Sequence, residues 1–89
     1  MKVKNMEGRT GRPVANQFQI YDDFGNVYFQ SYDSIIVKSE RAGKVYLDQR
    51  TWDYSNTTAK YRREFLGEGV DATRAKIASG EYILTDLNR

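Results

Sequence analysis

The 89-residue sequence contains no cysteine and no histidine, and it has only one proline. The absence of cysteine excludes disulfides, thiol nucleophiles and thiolate metal ligands. Without histidine, the most frequent general base and the commonest transition-metal ligand of proteins are both missing. Composition therefore excludes the enzyme classes that depend on either side chain.

Long apolar runs are also missing from this sequence. No segment approaches the roughly 20 residues that a membrane helix needs, and the N-terminal residues lack the apolar core of a signal peptide. The formal charge of +2 is too small an excess to indicate a polyanionic partner unless the basic residues cluster. We therefore expect a cytoplasmic protein that does not associate with membranes.

The strongest helix signal lies between residues 51 and 67. Tyr61 and Phe65 stand four positions apart, which favours an amphipathic helix. Polar residues at positions 55–58 offer an N-cap, and Gly67 is suited to the C-terminal end. The predicted structural anchor is Trp52, Tyr61 and Phe65. We expect Trp52 to pack on these helix residues and on the inward residues of the strands, Phe18, Phe29 and Val45.

Apolar and polar residues alternate before this helix, which predicts β-strands. Residues 14–21 and 27–30 are joined by the turn residues 22–26 and predict one β-hairpin. A β-branched run at 35–37 and a further alternating run at 45–47 predict a second hairpin. The alternation places six residues toward the core: Phe18, Ile20, Val27, Phe29, Val45 and Leu47.

Shorter elements are predicted after the helix. Asp71 is expected to cap a second short helix that ends at Gly80, and residues 82–84 predict a terminal strand. The predicted fold is therefore α+β. It comprises a small antiparallel sheet of about four or five strands, including the two β-hairpins, packed against one amphipathic helix plus a second short helix.

The N-terminal residues differ from the rest in charge. Over residues 1–12, four basic side chains against one acidic side chain give +3. Pro13 favours an extended chain before it. We therefore predict a flexible basic N-terminal arm over residues 1–12 and a single α+β domain over residues 13–89.

Carboxylate pairs are the remaining candidates for catalysis. Asp22 with Asp23, or Asp53 with Glu64, could act as acid and base or hold magnesium. Adjacent aspartates in a turn are far more often turn formers, and on a strand their side chains point apart. We expect no catalytic residue, no metal and no cofactor.

Several segments together carry a resemblance to a known group of proteins. They read GRPVANQFQIY, FQSYDSIIVK, GKVYLDQRTWDYSNTTAKYRREFLG and IASGEYILTDLN. In this order and spacing they resemble a family of small uncharacterised proteins encoded by bacteriophages and integrated mobile elements. The resemblance covers about residues 8–88. It implies a phage or mobile-element origin, and hence the cytoplasm of a host cell, but no activity.

One binding hypothesis is that the protein binds and blocks a host protein. Many very small phage proteins counter bacterial defence systems in this way, and CRISPR effectors are among the possible targets of such an anti-CRISPR-like inhibitor. Tyrosine, tryptophan and arginine dominate interface energies. The predicted partner-binding residues are Tyr21, Tyr28, Tyr46, Arg50, Lys60, Arg62 and Arg63.

The alternative hypothesis is a protein that binds single-stranded nucleic acid. Exposed tyrosines would stack on bases, while the basic arm would follow the phosphates. The predicted nucleic-acid-binding residues of the arm are Lys2, Lys4, Arg9 and Arg12.

The small sheet also has edge strands whose backbone groups are unpaired. Such strands favour a homodimer that forms by pairing of edge strands from two copies.

Overall fold

The structure, a computed structural model, describes residues 1–88. One six-stranded sheet has the strands in sequence order, and neighbouring strands are antiparallel except for β5 and β6, which are parallel because two helices connect them. This confirms the α+β class, with one strand more than predicted. The elements are β1 (Lys2–Glu7), β2 (Pro13–Tyr21), β3 (Val27–Ser31), β4 (Ser34–Ser39), β5 (Val45–Asp48), α1 (Asn56–Leu66), α2 (Val70–Ser79) and β6 (Tyr82–Thr85).

The N-terminal residues are part of the sheet, so the prediction of a flexible arm over residues 1–12 is wrong. Strand β1 pairs with β2 over most of its length. Met6 is only 6% exposed and belongs to the core. A turn joins the two strands, in which the Gly8 N–H donates to the Arg12 carbonyl at 2.8 Å. Lysines are well tolerated on an edge strand, so a basic segment can still form β1.

Helix α1 packs over strand β3. Ser55 is the N-cap and accepts from the Thr58 N–H at 3.1 Å, while Gly67 ends the helix with φ 71°. The Phe65 ring stacks on the Phe29 ring with centroids 5.8 Å apart. Between residues 1 and 88, neither helix is long and apolar enough to cross a membrane.

Helix α2 lies beside the edge strand β6. Its N-cap is Gly69, so the prediction that Asp71 caps it is wrong; Asp71 lies in the first turn, where a carboxylate favours the positive end of the helix dipole. Glu68 accepts hydrogen bonds from the Tyr82 hydroxyl at 3.0 Å and from the Lys76 ammonium at 2.6 Å. Burial alone would raise the pKa of Glu68, but these hydrogen bonds hold it below its ordinary value.

Both helices and the hydrophobic core lie on the same face of the sheet. Phe29, Val37 and Leu47 stand opposite one another on neighbouring strands and are fully buried there. The core cluster is Met6, Phe29, Ile36, Val37, Leu47, Tyr61 and Tyr82.

The first hairpin reverses the predicted faces of β2. Tyr21 pairs with Val27 across the turn, so Tyr21 shares the helix-covered face with Val27 and Phe29. Phe18 and Ile20 therefore lie on the opposite face, and their predicted inward position is wrong. Period-two alternation gives the spacing of one face but cannot say which face is covered.

Asp48 ties the end of β5 to the C-terminal residues. Its side chain is 2% exposed and accepts from the Thr51 hydroxyl at 2.7 Å and from the Leu87 N–H at 2.9 Å. Burial would raise the pKa of Asp48, but the hydrogen bonds keep it below its ordinary value. Asn88, the residue after Leu87, also holds the C-terminal residues to the sheet, because its amide exchanges two hydrogen bonds with the Ile35 backbone.

Candidate functional site

The face of the sheet opposite the helices carries a row of side chains that crosses all six strands. The strand registers place one residue of each strand in this row, so neighbouring side chains lie side by side. In strand order, the row is Val3, Ile20, Tyr28, Lys38, Tyr46 and Ile83. We call this row, together with the adjacent Phe18 and Ile35, the open face.

The open face is outside the core. None of its apolar residues belongs to the core cluster or to the partly buried residues packed against that cluster. Val3 is 56% exposed, and the others are half-buried by one another. A contiguous apolar surface outside the core is a candidate contact site.

Lys38 lies between two tyrosines at the centre of the row. Its ammonium is 5.9 Å from the centre of the Tyr28 ring and 5.8 Å from that of the Tyr46 ring, within cation–π range. Glu40 pairs with the same ammonium at 3.6 Å. The centre of the open face is therefore aromatic, and its one cation already has a carboxylate beside it.

The turn before β3 fixes one end of the open face. The Asp22 carboxylate accepts from the backbone N–H groups of Phe24 and Asn26 and from the Tyr28 hydroxyl at 3.1 Å. Burial would raise the pKa of Asp22, but the hydrogen bonds, led by those from Asn26, lower it to about 2. Asp22 thus holds the turn and orients Tyr28, so it has no free oxygen pair to share with Asp23.

A shallow apolar pocket of about 400 Å³ lies at this end of the open face. Its size is within the range of small-molecule and side-chain pockets. Its lining residues are Met1, Ile20, Asp22, Phe24, Tyr28 and Ile35.

The structure separates the predicted partner-binding residues. Tyr28 and Tyr46 lie on the open face, whereas Tyr21 is on the helix-covered face of the sheet, 5.9 Å below the ammonium of Lys4. Arg50 is exposed in the turn after β5. Lys60 and Arg63 are exposed on α1, which packs on the other side of the sheet.

Arg62 was predicted to face outward, and this prediction is wrong. It is 1% exposed, and its guanidinium stacks over the Trp52 ring at 5.2 Å. The Nη1 group donates to the Trp52 carbonyl and to Asp53, which also pairs with Arg74 at 2.7 Å. A guanidinium can be buried in this way because the aromatic ring covers its flat face. Asp53 therefore pairs with arginines and not with Glu64.

Trp52, Tyr61 and Phe65 of the predicted anchor all border the core. Tyr61 is 8% exposed and belongs to the core cluster, while Trp52 and Phe65 pack against it. Phe18, on which Trp52 was expected to pack, lies instead on the open face.

The predicted nucleic-acid-binding residues are spread along the N-terminal strand and its turn. Lys2 and Lys4 stand on the helix-covered face of β1, opposite Tyr21 and Gln19. Arg9 and Arg12 are exposed in the turn between β1 and β2. None of the four lies in the row of the open face. Within residues 1–88 no group of three acidic side chains is placed to hold a metal ion.

Sequence reasoning missed most of the open face. It identified Tyr28 and Tyr46 as outward residues but not Val3, Ile20 or Ile83. The pairing of Tyr21 with Val27 across the five-residue turn is the signal that could have placed Ile20 beside Tyr28, because it fixes the register of the hairpin.

Comparison with family models identifies a family for this sequence. A model of a family of unknown function, DUF8033, matches residues 1–83. Neither the curated proteins nor the solved structures contain a match. Since the family model covers most of the sequence, including every strand of the open face up to the start of β6, the chain belongs to the family DUF8033.

Proposed function

We propose that this protein is a non-enzymatic binding protein that binds and blocks another protein through the open face. The observation that carries the proposal is the row from Val3 to Ile83, which presents one side chain from every strand and takes no part in the core. Pairing with neighbouring strands holds the backbone beneath these side chains, so a partner can bind them with little loss of backbone conformational freedom.

The chemistry of the open face favours a protein partner over nucleic acid. Lys38 is the only cation in the row, and Glu40 already pairs with it. Asp22 adds a further negative charge beside Tyr28. A phosphate bound here would be repelled by these carboxylates. The apolar and aromatic side chains of a protein partner would instead pack against the apolar and aromatic side chains of the open face.

We propose a host protein in the cytoplasm of a bacterial cell, with a component of a defence system as the target of a phage-type, anti-CRISPR-like inhibitor. The resemblance of the sequence to small phage and mobile-element proteins supports this choice of partner.

Single-stranded nucleic acid is the second candidate partner. The observation that favours it is the Tyr28–Lys38–Tyr46 arrangement, because two rings beside a cation can stack on successive bases. This candidate predicts that the apparent affinity falls steeply with salt.

The test is an affinity capture from a bacterial host lysate with the immobilised full chain, carried out with and without nuclease. The proposal predicts a stoichiometric protein partner that is retained after nuclease treatment. The purified partner should then bind the full chain directly and lose its own activity when bound.

Two results would contradict the proposal. If capture disappears with nuclease and labelled single strands bind directly, the partner is nucleic acid. If neither a protein nor a nucleic acid binds under conditions where the chain is folded, the open face is not a binding site.

A further inference from the structure

The row of the open face has nearly the same chemical order when it is read from either end. Apolar residues stand at both ends, and Lys38 stands between Tyr28 and Tyr46 in the middle. A two-fold axis that runs parallel to the strands, between β3 and β4, places the row of one copy over the reversed row of a second copy. Each Lys38 then lies over Tyr28 of the other copy, and Val3 lies over Ile83. The row is therefore complementary to itself.

The charges beside the row follow the same symmetry. Asp22 comes two positions after Ile20, and Lys44 comes two positions before Tyr46, so the alternation of side chains places both charges on the open face. Asp22 is held there by its hydrogen bond from the Tyr28 hydroxyl. Lys44 is exposed, and no carboxylate among residues 1–88 pairs with it.

The topology of the sheet brings these two charges together in a symmetric pair. The turn 22–26 joins β2 to β3, and the turn 40–44 joins β4 to β5, so both turns lie at the same end of the strands. They also lie at equal distances from an axis between β3 and β4. The two-fold rotation therefore places Asp22 of each copy against Lys44 of the other, and the interface has two such pairs of opposite charge.

The other two-fold axis that would pack two open faces together runs along the row. It would place every residue of the row over the same residue of the second copy. Lys38 would then oppose Lys38, and like charges in opposed positions are destabilising. The charges therefore favour the axis parallel to the strands.

We infer that a second copy of this chain covers the open face in a two-fold symmetric dimer. The two sheets pack face to face about 10 Å apart, and the helices lie on the outside. The row extends over five strand spacings, or about 24 Å, so the interface is at the small end of the range for specific complexes. We expect a reversible dimer. This inference goes beyond the proposed function, because it needs no other protein; a host protein that binds the open face would bind the monomer.

The first test is sedimentation equilibrium of the purified full chain between about 1 μM and 1 mM. We expect a monomer–dimer equilibrium with a Kd between about 1 and 100 μM. A chain that stays monomeric throughout this range would overturn the inference.

The second test compares Lys44→Glu with Lys60→Glu. Both lysines are exposed, and both substitutions change the charge equally, but Lys60 lies on α1, on the other side of the sheet. Lys44→Glu places two carboxylates opposite each other and should raise the dimer Kd by at least about tenfold, with an unchanged Tm. Lys60→Glu should leave the Kd within about twofold. Equal values for the two variants and the parent would mean that the dimer uses another surface.

The third test uses the absence of cysteine from the sequence. Val3→Cys and Ile83→Cys are prepared separately, mixed at equal concentration and treated with a short bismaleimide. The mixture should form cross-linked dimers that contain one copy of each variant, because Val3 lies over Ile83 of the other copy. Val3→Cys alone should cross-link poorly, because the two Val3 residues lie about 24 Å apart. Equally efficient cross-linking of Val3→Cys alone would overturn the proposed symmetry.

The outcomes separate the inference from the proposed function. Every test of the dimer uses only the purified chain, so a monomeric chain overturns the inference and leaves the binding of a host protein by the open face untouched. Failure to capture a host protein contradicts the proposed function and leaves the dimer in place.

Discussion

Adjacent arginines in α1 have opposite environments. Arg62 is 1% exposed and stacks on the Trp52 ring, whereas Arg63 is exposed to solvent. The helical repeat correctly places Tyr61 and Phe65 inward, but it places Arg62 away from them. The burial of Arg62 depends on where the loop carries Trp52, which is tertiary information that a helical pattern does not contain.

Arg62→Ala should therefore destabilise the protein by about 3 kcal/mol, because it leaves a cavity, removes the donor to the Trp52 carbonyl and leaves Asp53 paired with Arg74 alone. Arg63→Ala should change the free energy of unfolding by less than about 0.5 kcal/mol. Urea unfolding of the two variants measures both values. Similar effects of the two substitutions would contradict the buried position of Arg62.

Asp48 gives a second prediction for a single residue. Asp48→Ala removes the acceptor for the Thr51 hydroxyl and the Leu87 N–H, and we expect a loss of about 3 kcal/mol in the free energy of unfolding. Asp33→Ala is the control in an exposed turn and should be nearly neutral. An equally small effect of Asp48→Ala in thermal and urea unfolding would show that the C-terminal residues are not tied to β5.

Among the elements, strand β1 departs most from the sequence-based expectation. Charge and glycine content indicate an arm, but pairing with β2 and the burial of Met6 outweigh them. Sequence patterns locate the two hairpins, α1 and the terminal strand, because each has strong local periodicity or capping. They do not locate β1, because an edge strand needs only one apolar residue on its covered face.

Removal of residues 1–7 should consequently destabilise the protein. The truncated chain would lose the Met6 side chain from the core and expose the edge of β2, so we expect the Tm to fall by at least about 8 °C. If the truncated chain had an unchanged Tm, the result would support the prediction of a flexible N-terminal arm. Met6→Ala in the full chain separates the packing contribution from that of the strand pairing.

The predicted homodimer through an edge strand stays a prediction, and β1 is a poor edge for it. A symmetric antiparallel pairing of two β1 strands centred on Lys4 would place the two Lys4 side chains opposite each other, with Lys2 facing Met6 of the other copy. Like charges in directly opposed positions are destabilising. The lysines therefore protect this edge against self-pairing.

For the whole molecule, three carboxylates with lowered pKa values predict a dependence of stability on acid. Asp22, Asp48 and Glu68 each hold their charge through hydrogen bonds in the folded state. The unfolded chain binds protons more readily, so lowering the pH favours unfolding. The free energy of unfolding should be constant from pH 7 to about pH 5 and then fall steadily toward pH 2.

Urea unfolding at several pH values tests this dependence. Asp48→Asn should have a smaller loss of stability between pH 5 and pH 2 than the parent, because it removes one of the three titrating groups. Stability that did not change over that range would contradict the proposed role of the carboxylates.

The fold class follows from the sequence, but the position of the binding site does not. Local patterns distinguish strands from helices and place Tyr28 and Tyr46 outward. The open face arises only when the registers of all six strands and the packing of both helices on one side are combined. Those registers depend on turn geometry and on contacts between residues far apart in the sequence.

The central claim is that the partner binds the open face and not the helices. Its most direct test compares the affinity of the purified partner for two double variants of the full chain. Tyr46→Thr with Ile83→Thr changes the open face, and Lys60→Glu with Arg63→Glu changes the exposed side of α1. We predict that the first pair weakens binding by at least about 100-fold while the Tm changes little, and that the second pair binds like the parent. Normal affinity of the open-face variant would contradict the claim, and loss of binding in the α1 variant alone would also place the interface on α1.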